Sequence, residues 1–178
     1  ATIAAIDVAY KAQADVIKAI GLLKKRNIYF EYNIIGQGNP AVLQNLIDRL
    51  DLNDLVRIKG SIPHNQIFKI LKDIDVYVQP SKVEGLPRAV VEAMSVACPV
   101  IGTDAGGIPE LIPKKCLYPK GDINTLVNLL ISVNEYFLFK YAKSNFEEAK
   151  KYQKENLEKK RLNFYKVFLE DYNLIANE

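Results

Sequence analysis

The chain has 178 residues, 49% of them apolar and 25% charged, with a formal charge of +3. That is the size and balance of one globular domain with a real core, and the charge is too small to point to nucleic acid. No apolar run approaches the ~20 residues of a membrane span, and no signal-peptide pattern opens the chain, so a cytoplasmic protein is expected. The basic excess is local: residues 140–161 hold eight Lys or Arg against four Glu. That stretch reads first as a solvated helical face and second as a contact for an anionic membrane surface, which would make the protein peripheral at the inner membrane face. Cys98 and Cys116 lack C-x-x-C spacing and lie in apolar stretches, as buried reduced thiols do. A lone His64 rules out a His-rich metal site. The first residues run straight into a strand-like pattern without Met, so the chain is expected to be a piece of a larger protein.

In chain order, residues 2–8 (TIAAIDV) and 28–35 (IYFEYNII) are β-branched and aromatic, as strands are. Shorter runs of this kind follow at LVRIKG, DVYVQP, CPVIGT and KCLYP. Several are apolar without alternation, the pattern of strands covered on both faces. Helical patterns lie between them. Residues 12–25 put Ala14, Ile17, Ile20 and Leu23 on one stripe, and residues 41–50 do so with Val42, Leu43, Leu46, Ile47 and Leu50. HNQIFKILKD and PRAVVEAMSVA are two more. This alternation predicts a doubly wound, Rossmann-like α/β domain over residues 1–122, with about six parallel strands and helices on both faces. Residues 123–178 read as a helical extension of the same domain.

In such folds the ligand lies beyond the carboxyl ends of the strands, so the loops after strands carry the candidates. In IIGQGNP, Gly36 and Gly38 allow a sharp turn or a close approach to phosphate or sugar, and Pro40 fits a first helical turn. An ordinary turn explains the same residues. In GSIPHNQ, Ile62 offers an apolar edge to a flat base, and His64 reads as a helix start. In QPSKVEGLPRAVVE, Gly85 permits close backbone approach and Pro87 fits the helix entry, where unpaired amides make an anion site. Carboxylates only accept hydrogen bonds, so Glu84 and Glu92 match hydroxyl donors rather than phosphate: sugar hydroxyls for one and a ribose diol for the other. The plainer account is a first-turn Glu and a solvated Glu. GTDAGGIPELI reads as a tight turn into a short helix started by Pro109.

Together these segments resemble the C-terminal, nucleotide-sugar-binding domain of GT-B glycosyltransferases of retaining family 4. EGLPRAVVEAM is similar to that family's E-x7-E motif, and IGQGN, DLVRIKGSIPH and PVIGTDAGGIPELI match further segments in order. The resemblance implies that Lys11 neutralises the diphosphate of a UDP-sugar or GDP-sugar donor. It implies that Glu84 meets the donor sugar at the reacting end, with Gly85, Leu86 and Pro87 giving backbone contacts. Glu92 would hold the ribose and Ile62 would border the base, with Gly36, Gly38 and Ser81 completing the donor site. No metal is expected. The family's arginine and glycine around the lysine are replaced by Ile6 and Ala12, and a glycine is replaced at Ala97. The acceptor site would lie in an N-terminal domain outside the chain. Rival readings are a GT-B epimerase, a phosphorylase-like enzyme and a flavodoxin-like binding module without catalysis. Finally, Leu162, Tyr165, Phe168, Leu169, Tyr172 and Ile175 trace a helical stripe. It either packs on the domain itself or stays exposed, and residues 162–176 then drive self-association.

Overall fold

The computed structural model describes residues 1–176, with side chains except at 171 and 173–176. Six short strands alternate with helices: β1 (Thr2–Ile3), α1 (Gln13–Lys24), β2 (Tyr32–Ile35), α2 (Ala41–Arg49), β3 (Val56–Ile58) and α3 (His64–Lys72). β4 (Tyr77–Gln79), α4 (Arg88–Ser95), β5 (Val100–Thr103), α5 (Ile108–Leu111) and β6 (Leu117–Tyr118) complete the core, and α6 (Ile123–Ile131), α7 (Glu135–Ala149) and α8 (Lys154–Ala176) follow.

Every strand pair is parallel, in two ladders ordered β1-β2-β3 and β4-β5-β6. The two ladders meet along β1 and β4. Val78 N donates to Ala1 O at 2.8 Å, and the Thr2 hydroxyl donates to Val78 O at 2.7 Å. The spatial order is therefore β3-β2-β1-β4-β5-β6, the doubly wound arrangement expected from the alternation. A strand of two residues cannot extend a full ladder, and a side-chain hydroxyl supplies the bond instead. The long run at residues 2–8 is thus mostly not strand. Ala4 N and Ile6 N still bond Ile35 O and Gln37 O at 2.9 and 3.0 Å, then the chain turns through Ala9–Lys11. Likewise only Tyr32–Ile35 of the run at 28–35 is strand, and Tyr29 is exposed.

β4 and β5 are buried at every position, as strands covered on both faces must be. α1 packs with α2 and α6, and α4 with α3 and α7. α1 is buried well beyond its expected stripe, because Val16, Ala19 and Gly21 join Ile17, Ile20 and Leu23 while Ala14 is only half-buried. Val42, expected on the α2 stripe, is exposed instead; Leu43, Leu46 and Ile47 suffice to cover the sheet. Cys98 and Cys116 are free, buried thiols, and burial pushes them up to about 11 and about 12. α8 begins against the turn Lys150–Tyr152 and leaves the body. Leu162, Phe164, Tyr165, Phe168, Leu169 and Tyr172 on it are all more than half exposed, at 55–65%. The expected stripe therefore does not pack on its own domain; Ile175's side chain lies outside the described residues. No helix among the described residues is long and apolar enough to cross a membrane.

Candidate functional site: a cleft at the switch point of the sheet

Between β1 and β4 the strand order reverses, so the loops that follow them diverge and leave a crevice. The cleft there has a volume of about 430 Å³. Its walls come from Ala4 and Lys11 after β1, His64 after β3, and Glu84, Arg88 and Glu92 after β4. Both carboxylates that the sequence singled out face this one cavity.

The β4 loop enters α4 through Pro87, which stands one residue before the helix in an extended conformation. The amides of Leu86, Arg88 and Ala89 donate to no acceptor among the described residues, so the helix start presents unpaired N–H groups to the cleft. A neighbouring loop holds this one in place. Gly107 N donates to Gly85 O at 2.9 Å. Gly106 turns at φ +52, where a Cβ would stand 1.7 Å from Glu84 O. The glycines after β5 therefore press on the Glu84 loop from behind and do not line the cleft.

Glu84 is 10% exposed at its side chain and pairs with Lys11, Nζ to Oε1 2.5 Å. The same Oε1 accepts from Gln79 Nε2 at 2.9 Å. Gln79 also donates to Ser81 Oγ at 2.9 Å and accepts from the Tyr77 hydroxyl at 2.8 Å. Lys11 is held near by a left-handed residue, Ala12 at φ +55, and by Lys82 N donating to Tyr10 O at 2.7 Å. Glu92 is 24% exposed and its Oε1 meets His64 Nε2 at 3.0 Å. A carboxylate only accepts, so Nε2 carries the proton of that bond. Arg88 also lines the cleft, and no acidic partner for it occurs among the described residues.

Lys11, Glu84, Leu86, Pro87 and Glu92 thus come together as expected. The other candidates stand back from the cavity walls. Ser81 is fully buried and touches the site through Gln79. Gly36 packs the β2 loop on the β1 loop, where a Cβ would fall 1.8 Å from Ala4 O, and Gly38 lies against Asp7. Ile62 packs on the core from a half-buried position. Ile6 is buried in the core, and Ala97 is left-handed at φ +62, as its helix-end position implied. Three site residues escaped the sequence reading: Gln79, Arg88, and His64 as the partner of Glu92. The signal for Gln79 was a lone amide in an apolar strand run.

A family model described as "Glycosyl transferases group 1" matches residues 5–137. The chain belongs to that family, and its fold is of the GT-B type. It is 36% identical over 129 residues to "Amylovoran biosynthesis glycosyltransferase AmsK" of Erwinia amylovora, which covers 67% of this chain and 32% of that protein. It is 30% identical over 173 residues to "Protein CapJ" of Staphylococcus aureus, covering 92% of this chain and 44% of that protein. Among solved structures, a point mutant of S. aureus TarM, crystallised with fondaparinux, α-GlcNAc-glycerol and UDP, superposes with a TM-score of 0.80 at 24% identity. That likeness covers 91% of this chain and 34% of TarM. The chain thus spans a third to somewhat under half of these curated relatives.

Proposed function

We propose that the chain is the donor-binding, C-terminal half of a retaining, family 4 glycosyltransferase. The parent protein moves a sugar from UDP-sugar or GDP-sugar to a saccharide or lipid-linked acceptor in glycan biosynthesis. The carrying observation is that Glu84 and Glu92 face one switch-point cleft with unpaired helix amides between them. Family membership and the UDP held by TarM support the same reading. Phosphates meet the amides of Leu86, Arg88 and Ala89 and the ammonium of Lys11. Glu92 accepts from the ribose diol at one end and Glu84 from sugar hydroxyls at the other. As the bond to the sugar breaks, negative charge grows on the departing diphosphate, and these preset donors stabilise it. Lys11, Arg88 and the amides supply positive charge that a metal supplies elsewhere, so donor binding proceeds without one. The acceptor site belongs to an N-terminal domain outside this chain, and the whole protein works in the cytoplasm, at or near the inner membrane face.

Calorimetric titration with UDP, GDP, ADP and FMN, with and without Mg2+, tests this. UDP or GDP binds weakly, and more weakly as salt rises, with no need for the metal. Binding of FMN alone, or of no nucleotide, would overturn the reading.

The exposed aromatic helix fits the same picture. We propose that α8 covers itself against the rest of the parent chain, and that the isolated chain self-associates through residues 162–176. Sizing the chain with and without those residues checks it: the long form grows with concentration and the short form stays monomeric.

A further inference from the structure

Glu84 has two carboxylate oxygens, and only one is engaged. Oε1 takes both Lys11 and Gln79. Oε2 has no partner among the described residues, yet it is not one of their buried unpartnered oxygens, which are Asp15 Oδ2, Tyr118 OH and Asn145 Oδ1. Oε2 therefore keeps accessible surface, and Glu84 is one of the walls of the cleft.

What turns the carboxylate this way lies behind it. Tyr77 is fully buried and stands behind the cleft wall, while Gln79 reaches that wall with only 2% of its surface exposed and spends its amide on protein partners. Ile3 N donates to the Tyr77 hydroxyl at 3.2 Å; of the two acceptors within reach of that hydroxyl's one proton, Gln79 Oε1 at 2.8 Å is nearer than Ile3 O at 3.3 Å and takes it. The amide's NH2 is then left facing Ser81 and Glu84. A flipped amide would set its oxygen against the carboxylate, two acceptors with no proton between them. The carboxylate at one end and the Tyr77 hydroxyl at the other therefore fix the orientation of the Gln79 amide, and bonds in series strengthen one another in a dry interior.

We propose that Gln79 is the positioning residue for donor-sugar recognition: it pins Oε1 so that Oε2 alone reads the sugar's hydroxyls. The inference rests on the donor-site reading above and adds where sugar choice is set. A single acceptor oxygen in a fixed place accepts from a hydroxyl of one configuration, whereas a freely turning carboxylate follows either epimer.

The test is titration of the chain with bare UDP and with UDP-glucose, UDP-galactose and UDP-N-acetylglucosamine, or with GDP, GDP-mannose and GDP-glucose where GDP is the nucleotide bound. The variants are Gln79→Leu and Gln79→Glu, with melting curves to show that each folds. Gln79→Glu keeps the shape and still accepts from Tyr77, but sets a second carboxylate on Glu84. In the wild type, affinity differs between the sugar forms. Gln79→Leu leaves the bare nucleotide within about twofold and weakens the preferred sugar nucleotide about tenfold, the scale of a lost hydrogen bond to a charged group. The preference between sugars collapses, and Gln79→Glu loses more. Variants that discriminate as the wild type does overturn the proposal, and so do variants that lose bare nucleotide equally. A wild type that binds the nucleotide but all its sugar forms alike overturns it while leaving the nucleotide site standing. A wild type that binds no nucleotide removes the donor-site reading itself.

Discussion

The two ends of the cleft are built differently. At one end Glu84 is 10% exposed, and its partners are Lys11 at 20% and Gln79, which is buried. At the other, Glu92 is 24% exposed and its partner His64 is 71% exposed at the surface. Buried, mutually bonded polar groups hold one geometry, because leaving any of them unpaired is costly. An exposed pair is screened by water and holds its geometry weakly. On the proposed assignment, the sugar end is set before a ligand arrives, and the nucleotide end adjusts as it binds. Chemistry that depends on the placement of one bond belongs at the rigid end. A ribose diol, common to many nucleotides, tolerates the looser one.

That contrast can be broken most forcefully at Lys11. Lys11→Ala removes the cation proposed to meet the phosphates and also leaves Glu84 poorly exposed and without its counter-charge. Bare UDP or GDP binding should fall by about 1–3 kcal/mol, with a shallower salt dependence. Calorimetry at two salt concentrations reads both; unchanged affinity means that Lys11 serves Glu84 alone. A smaller, more discriminating effect separates the carboxylates. Glu92→Gln should cost the bare nucleotide roughly 1 kcal/mol, whereas Glu84→Gln should spare it and weaken only the intact sugar nucleotide. Equal losses with the bare nucleotide for both variants sink the division of roles. The smallest effect is expected at His64. His64→Ala removes an exposed pair, and the same titration should change by no more than about 1 kcal/mol. A loss as large as that of Lys11→Ala would show that the nucleotide end is as rigid as the sugar end.

Much of this site was legible from residue order. Glu84 and Glu92 bracket a Gly-Leu-Pro helix entry, and local rules suffice to place both near unpaired amides. The doubly wound parallel sheet followed from alternation, while the order of its strands needed the bonds between β1 and β4. Strand lengths did not follow from alternation either. Residues 2–8 look like a strand because apolar and β-branched residues continue past Ile3, but the loop beyond it is held by bonds to the turn after β2. Long-range packing decided that, and no window of sequence contains it. The same holds for Ser81, Gly36 and Gly38. Glycine chemistry for the last two and the family resemblance for all three suggested ligand contact, while their partners, Gln79, Ala4 and Asp7, turn them inward. Gln79 was visible only as an odd residue. Its meaning needed Tyr77 two residues before it and Glu84 five residues after it on one side of the sheet end. The stripe on α8 was readable, and its exposure was one of two outcomes the spacing allowed.

The glycine behind the Glu84 loop has a practical consequence for engineering. At Gly106 any added side chain begins 1.7 Å from the Glu84 carbonyl, so the loop must shift to admit it. Residue 106 touches no part of the cavity, yet it governs where the Glu84 backbone sits. A library aimed at new donor preferences that varies only cavity-lining positions would leave this lever unused. One that varies 106 and 107 shifts the backbone that carries the Glu84 carboxylate without altering that group's chemistry, and it does so from the far side of the loop, where a scan for ligand-touching residues does not look.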